Sequence, residues 1–234
     1  MATQEKINLP GHWLVLIPVK KNLKDALRQK MKECALALKN YAEEHVTIIF
    51  DDRGEGDANA STKIIGLFGR LQKLAEIRNA CIKEYVDPQK YNFVVMCDAD
   101  VWYPEDIIYK LYQSSVKIGN PEKIIIAPGV YMEGYGNTRF YDTSGFITKL
   151  GEKARFTPPF FKDNILGVRE MASVGTFYVM PSWICKEIQY CGSPGPTDHF
   201  AVCQQAMSFG VKTYCDFNIV VSHANLPRYG EEWH

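Results

Sequence analysis

The sequence predicts an α/β fold: one domain with a mostly parallel central sheet flanked by helices. Three observations carry this reading. Between residues 12 and 130, short apolar runs alternate with longer segments of helical period. Pro, Gly or Asp closes most of the runs and helical segments. Acidic residues recur at the carboxyl ends of the runs, where open parallel sheets bind their ligands. Strand–helix–strand order also implies right-handed crossovers, which place helices on both faces.

The elements follow in chain order. HWLVLIPV (12–19) ends at Pro18 and reads as a buried strand. In LKDALRQKMKECALALKNYAEE (23–44), Leu27, Met31, Cys34, Ala35 and Leu38 share one helical face and the charges take the other. HVTIIF (45–50) is a second strand, closed by the acidic, Gly-rich DDRGEGD, which reads as a loop. Residues 61–86 are mostly helix, and YNFVVMC (91–97) is a third strand. PEDIIYKLYQSSVKIG (104–119) opens on Pro and two acids and closes on Gly, good helix punctuation. KIIIAPGVY (123–131) is a fourth strand.

The second half is less regular. Residues 131–170 carry Gly, Pro, Tyr and Phe with little periodicity. ASVGTFYVM (172–180) reads as one strand and SWICKEIQY (182–190) as a short helix. Residues 192–210 read as a loop and then a helix stopped by Gly210, and 211–223 as a last strand or two. The whole chain, 1–234, reads as a single domain with halves at about 12–130 and 131–225 and a tail at 226–234.

Composition excludes several classes. There are 27 basic and 27 acidic residues, so a nucleic-acid binder or polybasic membrane anchor is not expected. No apolar run reaches the roughly 20 residues of a membrane span, and the N-terminus has no apolar signal core. Seven cysteines without CxxC spacing read as buried free thiols, neither a disulfide framework nor a zinc site. The expectation is a cytoplasmic protein, or a soluble catalytic piece of something larger.

The chemistry concentrates in VVMCDADVWYPEDII (94–108). Asp98 and Asp100 follow an apolar strand and precede a helix. Two carboxylates this close repel, and a divalent cation relieves that repulsion. Mg²⁺ and Mn²⁺ suit carboxylate and phosphate oxygens and commonly share protein ligands with a diphosphate. In an extended conformation a D-x-D step sends both side chains to the same side. The bland alternative is two solvated acids in a loop.

This stretch resembles the D-x-D region of GT-A-fold glycosyltransferases. LAEIRNACIKEY (74–85) is similar to the A-x-x-R-N helix of the family-2-like group. ASVGTFYVMPSWI (172–184) is similar to the small-residue strand near the acceptor side. PTDHFAVCQQAMSFGVKTY (196–214) is similar to the later acid at a helix start, and FNIVVSH (217–223) ends where many members carry a histidine ligand. Fungal-type mannosyltransferases share the D-x-D, the later acid and the terminal His. The chain departs from the pattern: Thr197-Asp198 stands where E-D is usual, and no Q-x-x-R-W follows.

The resemblance implies a nucleotide-sugar-binding half (12–130) and an acceptor-side half (131–225). It implies a hexosyltransferase using a nucleotide diphosphate sugar, UDP favoured over GDP, with Mn²⁺ or Mg²⁺ and a glycan or other hydroxyl acceptor. Asp98, Asp100 and His223 would hold metal. Pro18, Val19, Asp51, Asp52, Arg78, Asp98, Ala99 and Asp100 would contact the donor. Ser173, Gly175 and Thr176 would lie on the sugar or acceptor side. Asp198 would be the general base of an inverting transfer. A retaining, GDP-sugar, mannosyltransferase-like enzyme is the alternative.

Each role has a structural competitor. His223 could simply bond backbone, Asp51 and Asp52 could shape a turn, Arg78 could be an exposed helix charge, and Asp198 could cap its helix. His199 has no expected chemical role. The loop aromatics Trp102, Tyr103, Tyr131, Tyr135, Phe140, Tyr141, Phe160 and Phe161 read mostly as core packing, with a sugar platform as the alternative. Outside this class stand a HAD-type phosphatase, with Asp98 as nucleophile, and a non-catalytic carbohydrate-binding module.

Overall fold

The computed structural model describes residues 9–20, 23–54, 66–163, 166–192 and 197–224. The N-terminal stretch, the start of the 61–86 segment, loop residues 193–196 and the 226–234 tail lie outside the described residues.

The strands are β1 (Trp13–Lys20), β2 (Val46–Gly54), β3 (Phe93–Cys97), β4 (Val101–Trp102), β5 (Ile124–Met132), β6 (Ile147–Thr148), β7 (Val168–Ser173), β8 (Phe177–Pro181) and β9 (Lys212–His223). The helices are α1 (Asp25–Ala42), α2 (Gly66–Tyr85), α3 (Ile107–Ile118) and α4 (Asp198–Ser208). All the strands join one sheet in the order β2-β1-β3-β8-β5-β9-β7-β6, with β4 on β9. β1, β2, β3, β5, β6 and β9 run one way, and β4, β7 and β8 run the other. The sheet is therefore mixed but mostly parallel in direction, as the alternating pattern predicts.

Burial explains the strand sequences. Every residue of β3 and β5 is buried, which is why they read as unbroken apolar runs. Trp13 is fully buried, stacked on Phe93 and edge-on to Tyr112, and its indole N–H donates to the Pro10 carbonyl at 3.1 Å. α1 buries Met31, Ala35, Leu38 and Ala42, the i, i+4, i+7, i+11 stripe of an amphipathic helix. α2 packs on β1, β2 and α4, and α3 packs on β5 and β9.

Three expectations change, and the reading of 211–223 as one strand or two narrows to one. β2 continues through Asp51 and Asp52 to Gly54, because Asp51 pairs with Pro18 in parallel register. The 172–180 run is two strands, broken at 174–176 where Thr176 takes φ 63°. The 182–190 helix is a 3₁₀ segment over Ser182–Lys186. Residues 211–223 form one strand, with its register shifted opposite Pro128, a residue that cannot donate to the ladder. β4 and β6 escaped the pattern because each is two residues long.

One reversal positions the site. β8 runs antiparallel between β3 and β5. Its amino end therefore meets the carboxyl ends of β1, β3 and β5 along one edge. Cys97 pairs with Phe177, and the Asp98 N–H donates to the Thr176 carbonyl at 2.9 Å.

Candidate active site

The aspartate pair is not extended. Ala99 and Asp100 form a turn, closed by the Val101 N–H donating to the Asp98 carbonyl at 3.3 Å. Val101 and Trp102 then pair with His223 and Ser222 of β9, and the Ala224 N–H donates to the Asp100 carbonyl at 2.9 Å. A turn sends alternate side chains apart, whereas an extended step would aim them together. Asp98 meets Arg78 and Asp100 meets His223. The expectation that both carboxylates point the same way is corrected by this turn.

Arg78 is the hub. It lies on α2 and is buried, so it is not an exposed helix charge. Its Nη2 donates to Asp98 Oδ1 at 2.7 Å, and its Nη1 donates to Asp198 Oδ2. Burial disfavours the guanidinium charge, but the Asp198 and Asp98 carboxylates outweigh it and hold the arginine protonated. Burial likewise works to raise the Asp198 pKa, and Arg78 overrides it, leaving the carboxyl below its ordinary value. Asp198 does not cap its helix. Thr197 does, its hydroxyl oxygen accepting the Phe200 N–H at 3.3 Å, so the Asp198 carboxylate is left to Arg78.

A buried wall backs this pair. Asn79 clamps the Tyr190 backbone at both ends: its Nδ2 donates to the carbonyl at 2.9 Å, and its Oδ1 accepts the N–H at 2.8 Å. The Arg-Asn dipeptide thus divides its work. Arg78 faces the carboxylates while Asn79 fastens the neighbouring segment. At Gly192 a Cβ would come within 2.7 Å of Gln72 Cα, so only glycine lets the segment lie this close to α2. Tyr190 and Tyr178 join through their hydroxyls, and His199 Nδ1 lies 3.4 Å from the Tyr178 hydroxyl. Burial and then Arg78 lower the His199 pKa, which favours a neutral ring.

The other arm is Asp100 with His223. His223 Nε2 lies 3.2 Å from Asp100 Oδ1, and its Nδ1 faces the Ala224 carbonyl at 2.8 Å. Burial opposes the imidazolium, but the Asp100 charge and hydrogen bond outweigh it, so the His223 pKa is raised. Tyr141 lies flat on the ring, with centroids 3.4 Å apart and an 11° interplanar angle.

Metal fit can be judged from these groups. An Nδ1–H given to a carbonyl leaves Nε2 as the coordinating atom, the usual outer-shell arrangement of a ligating histidine. Asp100 stands beside it. Asp98 spends one oxygen on Arg78. Among the described residues no group of three His, Cys, Asp or Glu is placed to cage a metal. The residues fit a two-ligand site completed by water and substrate phosphates, which is how Mg²⁺-type ions usually bind. They do not fit a closed protein cage.

A third carboxylate, Asp142, escaped the sequence reading. Its Oδ1 accepts the Gly145 N–H at 2.7 Å, and its Oδ2 accepts the Thr176 hydroxyl at 2.8 Å. A Cβ on either Gly145 or Gly175 would overlap Asp142 Oδ2, and one on Gly175 would also come within 3.0 Å of His199 Cδ2. Thr176 holds a left-handed backbone that β-branched residues avoid. A signal was present in YDTSGF, an Asp three residues before a Gly, but it reads as ordinary turn chemistry.

The remaining candidates divide. Pro18 and buried Val19 end β1 beside Asp51 on the same edge. Asp51 is buried and holds Arg53 through its backbone N–H at 3.0 Å and its Nε at 2.8 Å; burial opposes, and Arg53 overrides to lower, its pKa. Asp52 is exposed. Ala99 is buried in the turn. Gly175 and Thr176 line the Asp142 cradle, but Ser173 is 0% exposed and cannot touch an acceptor as it stands. Phe140 packs against Tyr131, Phe146, Phe160 and Phe217, and Phe161 packs against Phe217, so these rings are core. Trp102 and Tyr103 are also buried, Tyr135 is exposed under Arg139, and Tyr141 belongs to the site.

No helix among the described residues is long and apolar enough to cross a membrane. All seven cysteines are free.

No family model matches the chain, and no curated protein matches it in sequence. Solved structures do match in fold. S. aureus TarS aligns with 91% of this chain at 9% identity and a TM-score of 0.53, and the match spans 36% of that chain. TarS residues 1–349 in complex with UDP-GlcNAc aligns with 94% of this chain at 12% identity and a TM-score of 0.53, spanning 60% of that chain. A197 from STIV aligns over 95% of this chain at 13% identity and a TM-score of 0.48. The chain thus spans only about a third of TarS. What the TarS likeness shows is the fold: a GT-A-like mixed, mostly parallel sheet flanked by helices.

Proposed function

We propose that the protein is a glycosyltransferase that moves a hexose-type sugar from a nucleotide diphosphate sugar, UDP favoured over GDP, to a glycan or other hydroxyl acceptor. One observation carries the reading. Arg78 between Asp98 and Asp198, and Asp100 against His223, gather at the carboxyl edge of a sheet with the fold of TarS, which has been solved with UDP-GlcNAc. Cation and carboxylates together make a site for a diphosphate and a divalent ion. The GT-A-like fold supports this reading over the phosphatase reading of the aspartate pair.

Roles follow from position. Pro18, Val19 and Asp51, with Asp52 beyond, form the edge that would hold nucleobase and ribose. Asp100 and His223, with Asp98 beside them, would hold Mn²⁺ or Mg²⁺, which neutralises charge on the departing diphosphate. His223 must first give up its Nε2 proton, since a ligating imidazole is neutral. Arg78 is buried against Asp98 and Asp198, and a bidentate guanidinium suits phosphate oxygens.

Inverting transfer is the favoured stereochemistry, with a base on the acceptor side. The expected base, Asp198, is held by Arg78, and a carboxylate in a guanidinium pair is a poor proton acceptor; it would act as base only if Arg78 turned away from it toward the donor. In the retaining, GDP-sugar alternative, Asp198 would orient donor and acceptor.

Calorimetric titration with UDP-GlcNAc, UDP-glucose and GDP-mannose, with and without Mn²⁺, tests the reading. Tighter binding with Mn²⁺ is expected. Absence of nucleotide binding in all arms would sink it, and binding without sugar release or transfer would support the carbohydrate-binding alternative.

A further inference from the structure

We propose that Asp142 is the group that takes the proton of the acceptor hydroxyl. The inference rests on the glycosyltransferase reading and names its base.

A general base must meet the substrate, and it must be free to gain a proton. Asp198 is 2% exposed and holds Arg78. Asp142 is only partly buried. Its bonded partners are a backbone N–H and a hydroxyl, both neutral. A carboxylate offers about four lone-pair sites, and these two bonds leave room for an incoming hydroxyl.

Its placement joins the two arms of the site. Thr176, which donates to Asp142, also accepts the Asp98 N–H through its carbonyl. The preceding residue, Tyr141, covers the His223 ring. On the far side Asp142 faces His199, which also feels Asp98, Asp198 and Arg78. His199 thus lies within electrostatic reach of Asp142 as well as of the Arg78 cluster.

The surroundings keep this position open for a carboxylate. Side chains at Gly145 and Gly175 would both occupy the space of Oδ2. A loop-holding Asp needs only the Gly145 N–H. It does not require a missing Cβ on a second segment, nor a threonine strained to present its hydroxyl.

The step balances as follows. The acceptor O–H proton passes to an Asp142 carboxylate oxygen. The acceptor oxygen forms a bond to the anomeric carbon. The bond from that carbon to the diphosphate oxygen breaks, and the electron pair leaves with the nucleoside diphosphate. Water in place of the acceptor gives hydrolysis by the same route.

The test uses the full chain with Mn²⁺, following UDP or GDP release from UDP-GlcNAc, UDP-glucose and GDP-mannose, and nucleotide binding by calorimetry. Asp142→Asn should bind nucleotide within about threefold of wild type and lose at least about 100-fold in release. Thr176→Ala removes the hydroxyl but spares the carboxylate; it should lose less than about tenfold. Release by Asp142→Asn within about threefold of wild type overturns the proposal. If Asp142→Asn does not fold, Asp142→Glu decides: retained turnover supports the role, and its loss counts against it. Wild type that neither binds nor cleaves any donor overturns the glycosyltransferase reading itself, and the base assignment with it.

Discussion

Arg78 donates to the Asp98 carboxylate across 2.7 Å while its other terminal nitrogen holds Asp198, so one guanidinium ties α2 to the ends of β3 and α4. The two acids are 100 positions apart in sequence (198 − 98). Neither would tolerate this proximity without the cation.

Removing Arg78 should therefore cost more than its contacts suggest. Arg78→Met leaves Asp198 buried without its cation, a loss on the order of 3–5 kcal/mol. Adding Asp198→Asn should recover part of it. Urea unfolding of the two variants checks this, and a single variant within about 1 kcal/mol of wild type would show that the pair is not energetically coupled to folding.

The two buried histidines should pull stability in opposite directions with pH. His199 has a lowered pKa, so below about 6.5 the unfolded chain binds a proton that the native state refuses. Stability then rises with pH up to that value, by at most about 1.4 kcal/mol per pH unit. His223 has a raised pKa; its contribution is full below about 6.5 and fades as pH climbs through the folded value. His199→Gln should flatten the acid-side loss. A slope unchanged between pH 5 and 6.5 would contradict the assignment of a neutral, buried His199.

Gly175→Ala tests the Asp142 cradle from the outside. The new methyl needs the space of Asp142 Oδ2 and approaches His199 Cδ2 to 3.0 Å. Overpacking of this kind costs about 1–3 kcal/mol. Donor release should fall as well, because the carboxylate must swing out. Thermal unfolding and release assays together are decisive; a variant matching wild type in both would mean the carboxylate relaxes freely.

Asp100→Ala isolates the metal arm. The gain in nucleotide affinity on adding Mn²⁺ should vanish, while metal-free binding through Arg78 and the β1–β2 edge persists. Calorimetry reads both quantities. An undiminished Mn²⁺ effect would remove Asp100 from the ligand set.

Much of the first half was legible in the residues because local order dictates it. The apolar runs of β1, β3 and β5 and the stripe of α1 repeat with periods that only buried strands and an amphipathic helix produce. Asp98, Asp100, Asp198 and His223 stood out because each follows or opens such an element. Asp142 did not, because an Asp before a Gly in a loop has the same appearance whether it shapes a turn or serves a site.

By itself the sequence determined the α/β class, the order of βα units, the free cysteines and the edge on which the acids collect. Those depend on periodicity and on strand direction, which are local properties. Only the tertiary structure decided how the acids divide. A turn, closed between Asp98 and Val101, splits the D-x-D into one carboxylate for Arg78 and one for His223. The antiparallel insertion of β8 brings Thr176, and with it Asp142, beside Asp98. Which cation meets which carboxylate is set by contacts between elements far apart in the chain, and no local period encodes them.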